Sequence, residues 1–238
     1  MDARKTRLHL LLVAIAGLAL SGCAAPVKRQ IPELQRDPAG PTTIVLMPLD
    51  VELGQLTAGG VVQPHAEWTE AAIRHMRAAL EKQATGRNLT VVDYHPERGS
   101  PEDQATGLEL MTLHRAVGRS ILLHEYLGGY ALPSKKDKFD WSLGPAVGAI
   151  SRSHAADYAL FLYVRDSYAT GGRVALIMAA AVLGVGLTGG TQVGYASLAD
   201  LKSGDVVWFN RLVRTVGDLR TPEAAEETVK VLLADALK

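Results

Sequence analysis

The side chains in this 238-residue chain that could do chemistry are seven histidines, one cysteine and a scatter of acidic groups. His124-Glu125 resembles the start of a helical zinc-protease site, but that site needs a second histidine four positions on to put two imidazoles on one helix face. Gly128 stands there. Asp93, His95 and Glu97 follow a predicted strand, and Asp50 closes an earlier one. At the carboxyl edge of an α/β sheet, where ligands bind, such residues would converge. Asp50, Asp93 and His95 are therefore candidate binding residues, or the acid/base groups of a dispersed hydrolytic site. Turns use acidic residues at strand ends equally well, through side-chain to backbone hydrogen bonds. No Gly-x-Ser-x-Gly elbow, phosphate loop or dinucleotide fingerprint occurs in the right context. Gly184, Gly186, Gly189 and Gly190 follow an apolar run instead of leading from a strand into a helix. The sequence thus offers no catalytic residue, no metal ligands and no cofactor, and the expected class is a non-enzyme.

Cys23 has the most informative surroundings. Arg4, Lys5 and Arg7 precede an apolar stretch from Leu10 to Leu20, and the small residues Ser21 and Gly22 lead into the cysteine. This is the three-part pattern of an export signal. Eleven residues of helix rise only about 16 Å, half of what a permanent span needs. Leu20-Ser21-Gly22-Cys23 resembles the lipobox of bacterial lipoproteins. The resemblance implies that residues 1–22 are removed and that acyl chains on Cys23 hold the protein on a membrane. The family's sorting rule, with Ala24 instead of aspartate after the cysteine, implies the periplasmic face of the outer membrane in a Gram-negative host. The alternative is an ordinary cleaved signal with an incidental thiol. Cys23 is the only cysteine, so no intramolecular disulfide and no cysteine-based zinc site can form.

Charge narrows the partners. Lysine plus arginine and aspartate plus glutamate each number 25, and loss of the signal leaves a formal charge of about minus two. There is no basic excess for nucleic acid. The expected partners are membrane lipid through Cys23, other envelope proteins and, through an apolar segment described below, a second copy of the chain.

The elements that must position these residues follow from periodicity. Residues 23–42 carry Pro26, Pro32, Pro38 and Pro41 and read as a tether, followed by one domain over 43–238. A strand is predicted from Thr43 to about Pro48, then a glycine-rich loop to Gly60. A helix follows over 64–84, with Trp68, Ile73, Met76 and Leu80 on one stripe. Further expectations are a strand over 89–94 and a helix over 101–126 with Leu108, Met111, Val117 and Ile121 inward, weakened by Gly107 and Gly118. A short helix over 142–153 and a central strand over 158–164 come next. Val174 to Leu187 is apolar throughout and too short to span. It reads as a buried core or crossover segment, with membrane insertion or packing against a second copy as alternatives. A hairpin turning at Gly204 and a helix over 222–237, capped by Thr221 with Pro222 first, complete the chain.

These elements predict a single α/β domain with a mixed β-sheet, flanking helices, and a C-terminal hairpin followed by a helix. The segments 156–158 and 196–208 resemble the periplasmic domains of the curli secretion channel lipoproteins and the N-terminal domain of the Tol propeller protein. No long alternating hairpins accompany them, so a barrel channel is not implied. The expected function is a lipid-anchored, non-enzymatic binding, assembly or transport component. Its rivals are a periplasmic hydrolase and an oligomeric membrane-interacting protein using residues 174–187.

Overall fold

The computed structural model describes residues 29–30, 42–85, 89–127, 129–135, 138–215, 218–234 and 236. The signal segment, Cys23 and the expected tether, apart from residues 29–30 and 42, lie outside them. Along the chain come β1 (Arg29–Gln30), β2 (Thr42–Leu46), β3 (Asp50–Leu56), β4 (Val62–Pro64), α1 (Ala66–Ala84), β5 (Leu89–Asp93), α2 (Pro101–Ile121), α3 (Gly148–His154), β6 (Tyr158–Ala169), α4 (Gly171–Val182), β7 (Gln192–Asp200), β8 (Val206–Arg214) and α5 (Pro222–Leu232).

The strand order is β1-β8-β7-β6-β2-β5, with β3 also on β6 and β4 outside β3. Twelve-residue β6 is the centre. On one edge, β2 runs parallel to its start, from Ile44 opposite Tyr158, and β3 runs parallel to its end, from Asp50 opposite Tyr163 to Leu56 opposite Ala169. Pro48 falls between the two strands, where its missing N–H costs no ladder bond. β7 and β8 pair antiparallel on the other side. The sheet is mixed, as expected.

Period-two alternation sorts the strand residues between two helical layers. Leu160, Leu162, Leu198 and Trp208 face α1 and α5 with Met76, Leu80, Val229 and Leu232. Phe161, Tyr195 and Phe209 face α2 and α3 with Leu110, Ile121 and Ile150. Thr221 caps α5 as predicted, accepting from the Ala224 N–H, with Pro222 at the first position. Gly204 takes φ +84° at the β7–β8 turn, also as predicted.

Three expectations are corrected. The segment after Pro48 is not loop up to Gly60, because β3 and β4 form a hairpin there and Asp50 opens a strand instead of ending one. Val51 and Leu53 are buried while Glu52 is exposed, but Gly54 and Gln55 hide that alternation from a sequence reader. On α2, Leu108 is exposed, and the inward stripe is Gly107, Leu110, His114, Gly118 and Ile121. The glycines belong to it because a Cβ at Gly107 would overlap the Tyr94 hydroxyl, and one at Gly118 would overlap the Tyr195 ring. The third correction concerns residues 174–187.

Candidate functional site

The three candidate polar residues occupy separate networks. Asp50 accepts hydrogen bonds from Arg115 Nε at 2.8 Å and Arg165 Nη2 at 2.7 Å, and its side chain is 13% exposed. Arg165 lies over the Tyr163 ring at 4.2 Å, so this cluster joins α2 to the sheet. Asp93 pairs with Arg77 of α1. Both line a shallow groove of about 340 Å³ with Leu46, Leu80, Thr85 and Val91, and neither Asp50 nor His95 reaches it. His95 pairs through Nδ1 with Glu97 at 3.1 Å, and its backbone N–H donates to His154 Nε2 at 2.8 Å. Asp50 and Asp93 thus each have an arginine partner that fixes one element on another. Among the described residues, no three histidine, aspartate or glutamate side chains are grouped to hold a metal ion.

One pair with catalytic chemistry escaped the sequence, because its members lie far apart in it. His114 Nε2 is 2.7 Å from Ser197 Oγ. A histidine beside a serine hydroxyl is the unit that nucleophilic catalysis uses. Here both residues are buried between α2 and the sheet, at 3% and 1% exposure, and His114 stacks on Phe161. Burial pulls the imidazole down to about 3, so it is neutral, and no substrate has access to it.

The surface that stands out is an end of the sheet. α4 connects β6 to β7, and none of its residues is buried. Met178, Val182 and Leu183 are 68%, 86% and 80% exposed, and Val174, Leu176 and Val185 are exposed as well. The core reading of residues 174–187 is therefore overturned. The segment crosses over beyond the rung that joins the end of β6 to the start of β7, and among the described residues no second layer covers it. Composition alone cannot separate a buried apolar helix from an exposed one. The bracketing glycines at 171–172 and 184–190 were the available signal that this helix is set apart.

Local bonds hold the end together. Thr170 caps α4 by accepting from the Arg173 N–H, and its own backbone N–H donates to the Leu56 carbonyl of β3. Arg173 donates to the Thr188 and Ala58 carbonyls, tying α4 to the loop after it and to the β3–β4 turn. That turn adds exposed Val61 and Val62. Residues 57–64 and 174–192 contain no charged side chain. Beneath them, buried Asp166 accepts from Tyr168 and from Gln192 Nε2, while the Leu219 N–H donates to the Tyr168 hydroxyl at 2.8 Å. Burial raises the Asp166 carboxyl above its ordinary range.

No protein-family model matches the chain, and no curated protein matches it. Sixteen solved chains are similar to it. A PelC dodecamer from Paraburkholderia phytofirmans is 14% identical over 90% of this chain and 98% of its own, with a TM-score of 0.40. The LpoB C-terminal domain from Salmonella enterica is 15% identical over 76% and 88%, with a TM-score of 0.27. Lipoprotein GNA1162 from Neisseria meningitidis is 11% identical over 73% and 80%, with a TM-score of 0.28. No function is carried over from likenesses at this level.

Proposed function

We propose that this chain is a lipid-anchored component of the bacterial cell envelope that works by binding other envelope constituents and not by catalysis. The anchor is Cys23, acylated after removal of residues 1–22, and the domain sits at the periplasmic face of the outer membrane. Two or three acyl chains suffice to keep a soluble domain on a bilayer, because each buried methylene contributes about 0.8 kcal/mol. The observation that carries the binding role is the uncharged end formed by α4 and the β3–β4 turn. A monomeric domain with no partner rarely leaves a contiguous apolar surface in water. The polar residues that could have served a hydrolase support the reading from the other side. Asp50 and Asp93 are ion-paired between elements, and His114 and Ser197 are sealed in the core.

Metabolic labelling with an alkyne analogue of palmitate tests the anchor. The wild-type chain is expected to carry the label and to sediment with outer membranes, and Cys23→Ala to lose the label. Label retained by Cys23→Ala, or absent from the wild type, would overturn the reading.

A further inference from the structure

We propose that the α4 end is a second membrane contact, lying in the interface of the same bilayer leaflet that holds the acyl chains. This inference rests on the anchored-protein reading and adds the orientation of the domain.

Length and composition exclude other ways for α4 to meet lipid. Twelve helical residues rise about 18 Å, well short of the roughly 30 Å hydrocarbon core, so the helix can lie in an interface but not cross it. Among the described residues no helix is long and apolar enough to span. A helix that is apolar all round belongs inside a protein or in lipid, and among the described residues none buries a residue of α4. Its one cation, Arg173, is already bonded to two carbonyls at the inner end of the helix.

The polarity of β1 bears on how the anchor and this end can meet. β1 runs antiparallel to β8, with Gln30 opposite Trp208 and Arg29 opposite Phe209. From Gln30 back to Arg29, β1 therefore points the way β8 runs from Phe209 to Arg214. Arg214 pairs with Gln192, Gln192 with Asp166, and α4 begins five residues after Asp166. Cys23 is six residues before Arg29 and can lie no more than about 20 Å away. Along the strand, Arg214 is about 17 Å beyond Phe209. Six residues of chain are thus long enough to span from Arg29 to the uncharged end. An apolar surface within the anchor's reach favours lipid as its occupant over a second copy or a soluble partner.

Interfacial helices commonly add electrostatic attraction from a basic face. α4 lacks one, so its contact with lipid is apolar and insensitive to salt and to anionic lipid.

Because acylation consumes the only native thiol, a probe can be placed at one chosen cysteine. The lipidated chain carrying Met178→Cys or, as control at the opposite end, Lys202→Cys is labelled with an environment-sensitive dye. It is then reconstituted in phosphatidylcholine vesicles containing a doxyl-labelled lipid. Expected are a blue shift and quenching at position 178, unchanged in high salt, and neither effect at 202. Equal exposure to water at both positions would overturn the proposal. So would a blue shift at 178 without lipid quenching and with cross-linking of two chains, since the occupant would then be a second copy. Failure of the anchor reading is separately visible, because the parent chain would itself take up the dye at Cys23 and would not float with vesicles. Val182→Asp in the Met178→Cys background is expected to keep the folded circular dichroism spectrum and lose the quenching.

Discussion

His114 makes this fold sensitive to acid. Its imidazole is held near 3 by burial, whereas in the unfolded chain it titrates near 6.5. Below 6.5 the unfolded state takes up the proton and the folded state does not, so stability is complete above that pH and declines as pH falls toward 3. Buried His154 is depressed in the same sense. The carboxyls of Glu97, Asp103, Asp140 and Asp218 sit below their ordinary range and weaken the fold only at lower pH. His114→Gln can keep the bond to Ser197 but does not titrate. Between pH 7 and 5.5, urea unfolding should show the wild type losing about 1 kcal/mol more than this variant. A matching loss in both would remove His114 as the cause. None of this was legible in the sequence, where His114 is one histidine of seven, because its depression comes from α2 lying across Phe161 and Ser197. Asp50, Asp93 and His95 were visible there as chemically capable groups. The cations of the two aspartates, Arg115, Arg165 and Arg77, come from elements whose placement only the fold supplies.

The helices and the C-terminal hairpin were legible as elements because their signals are local. Thr221-Pro222 and Gly204 encode their own geometry, and the apolar stripe of α5 repeats at helical spacing. What failed depended on neighbours. Gly107 and Gly118 look like defects in α2 but are the seats of Tyr94 and Tyr195. Intrinsic helix preference favours Gly118→Ala by about 1 kcal/mol. The overlap with the Tyr195 ring acts against it by about 1–3 kcal/mol, and the net effect is expected to be a lower melting temperature. A raised one would mean that the ring moves aside at little cost. Asn210 makes a second joint, its Nδ2 donating to the Val231 and Leu232 carbonyls at the end of α5. Asn210→Ala takes its donor from the buried Leu232 carbonyl, while Val231 keeps the bond from the Ala234 N–H, and should cost about 1–3 kcal/mol in chemical denaturation. The β3–β4 hairpin stayed hidden because Gly54 interrupts its alternation, and its edge is specified by β6, more than a hundred residues away.

At the scale of the molecule, the mixed sheet was predictable from element order, but which surface is left bare was not. An apolar run of this length reads first as core or crossover and only second as contact, and α4 is exposed because it crosses beyond the end of the sheet. Exposure has a stability consequence. Val182→Asp should change the unfolding free energy by no more than about 0.5 kcal/mol, as at other solvent-facing sites. A cooperative loss of several times that would mean the helix is packed in solution. The central claim is that the domain stands on the bilayer on its α4 end, beside its own anchor. Hydrogen–deuterium exchange tests it most directly, comparing the lipidated chain on phosphatidylcholine vesicles with Cys23→Ser free in solution. Slower exchange confined to residues 57–64 and 174–191, with the β7–β8 turn at 201–205 unchanged, is the predicted result. Unchanged exchange across 174–191, or slowing at the β7–β8 turn instead, would contradict it.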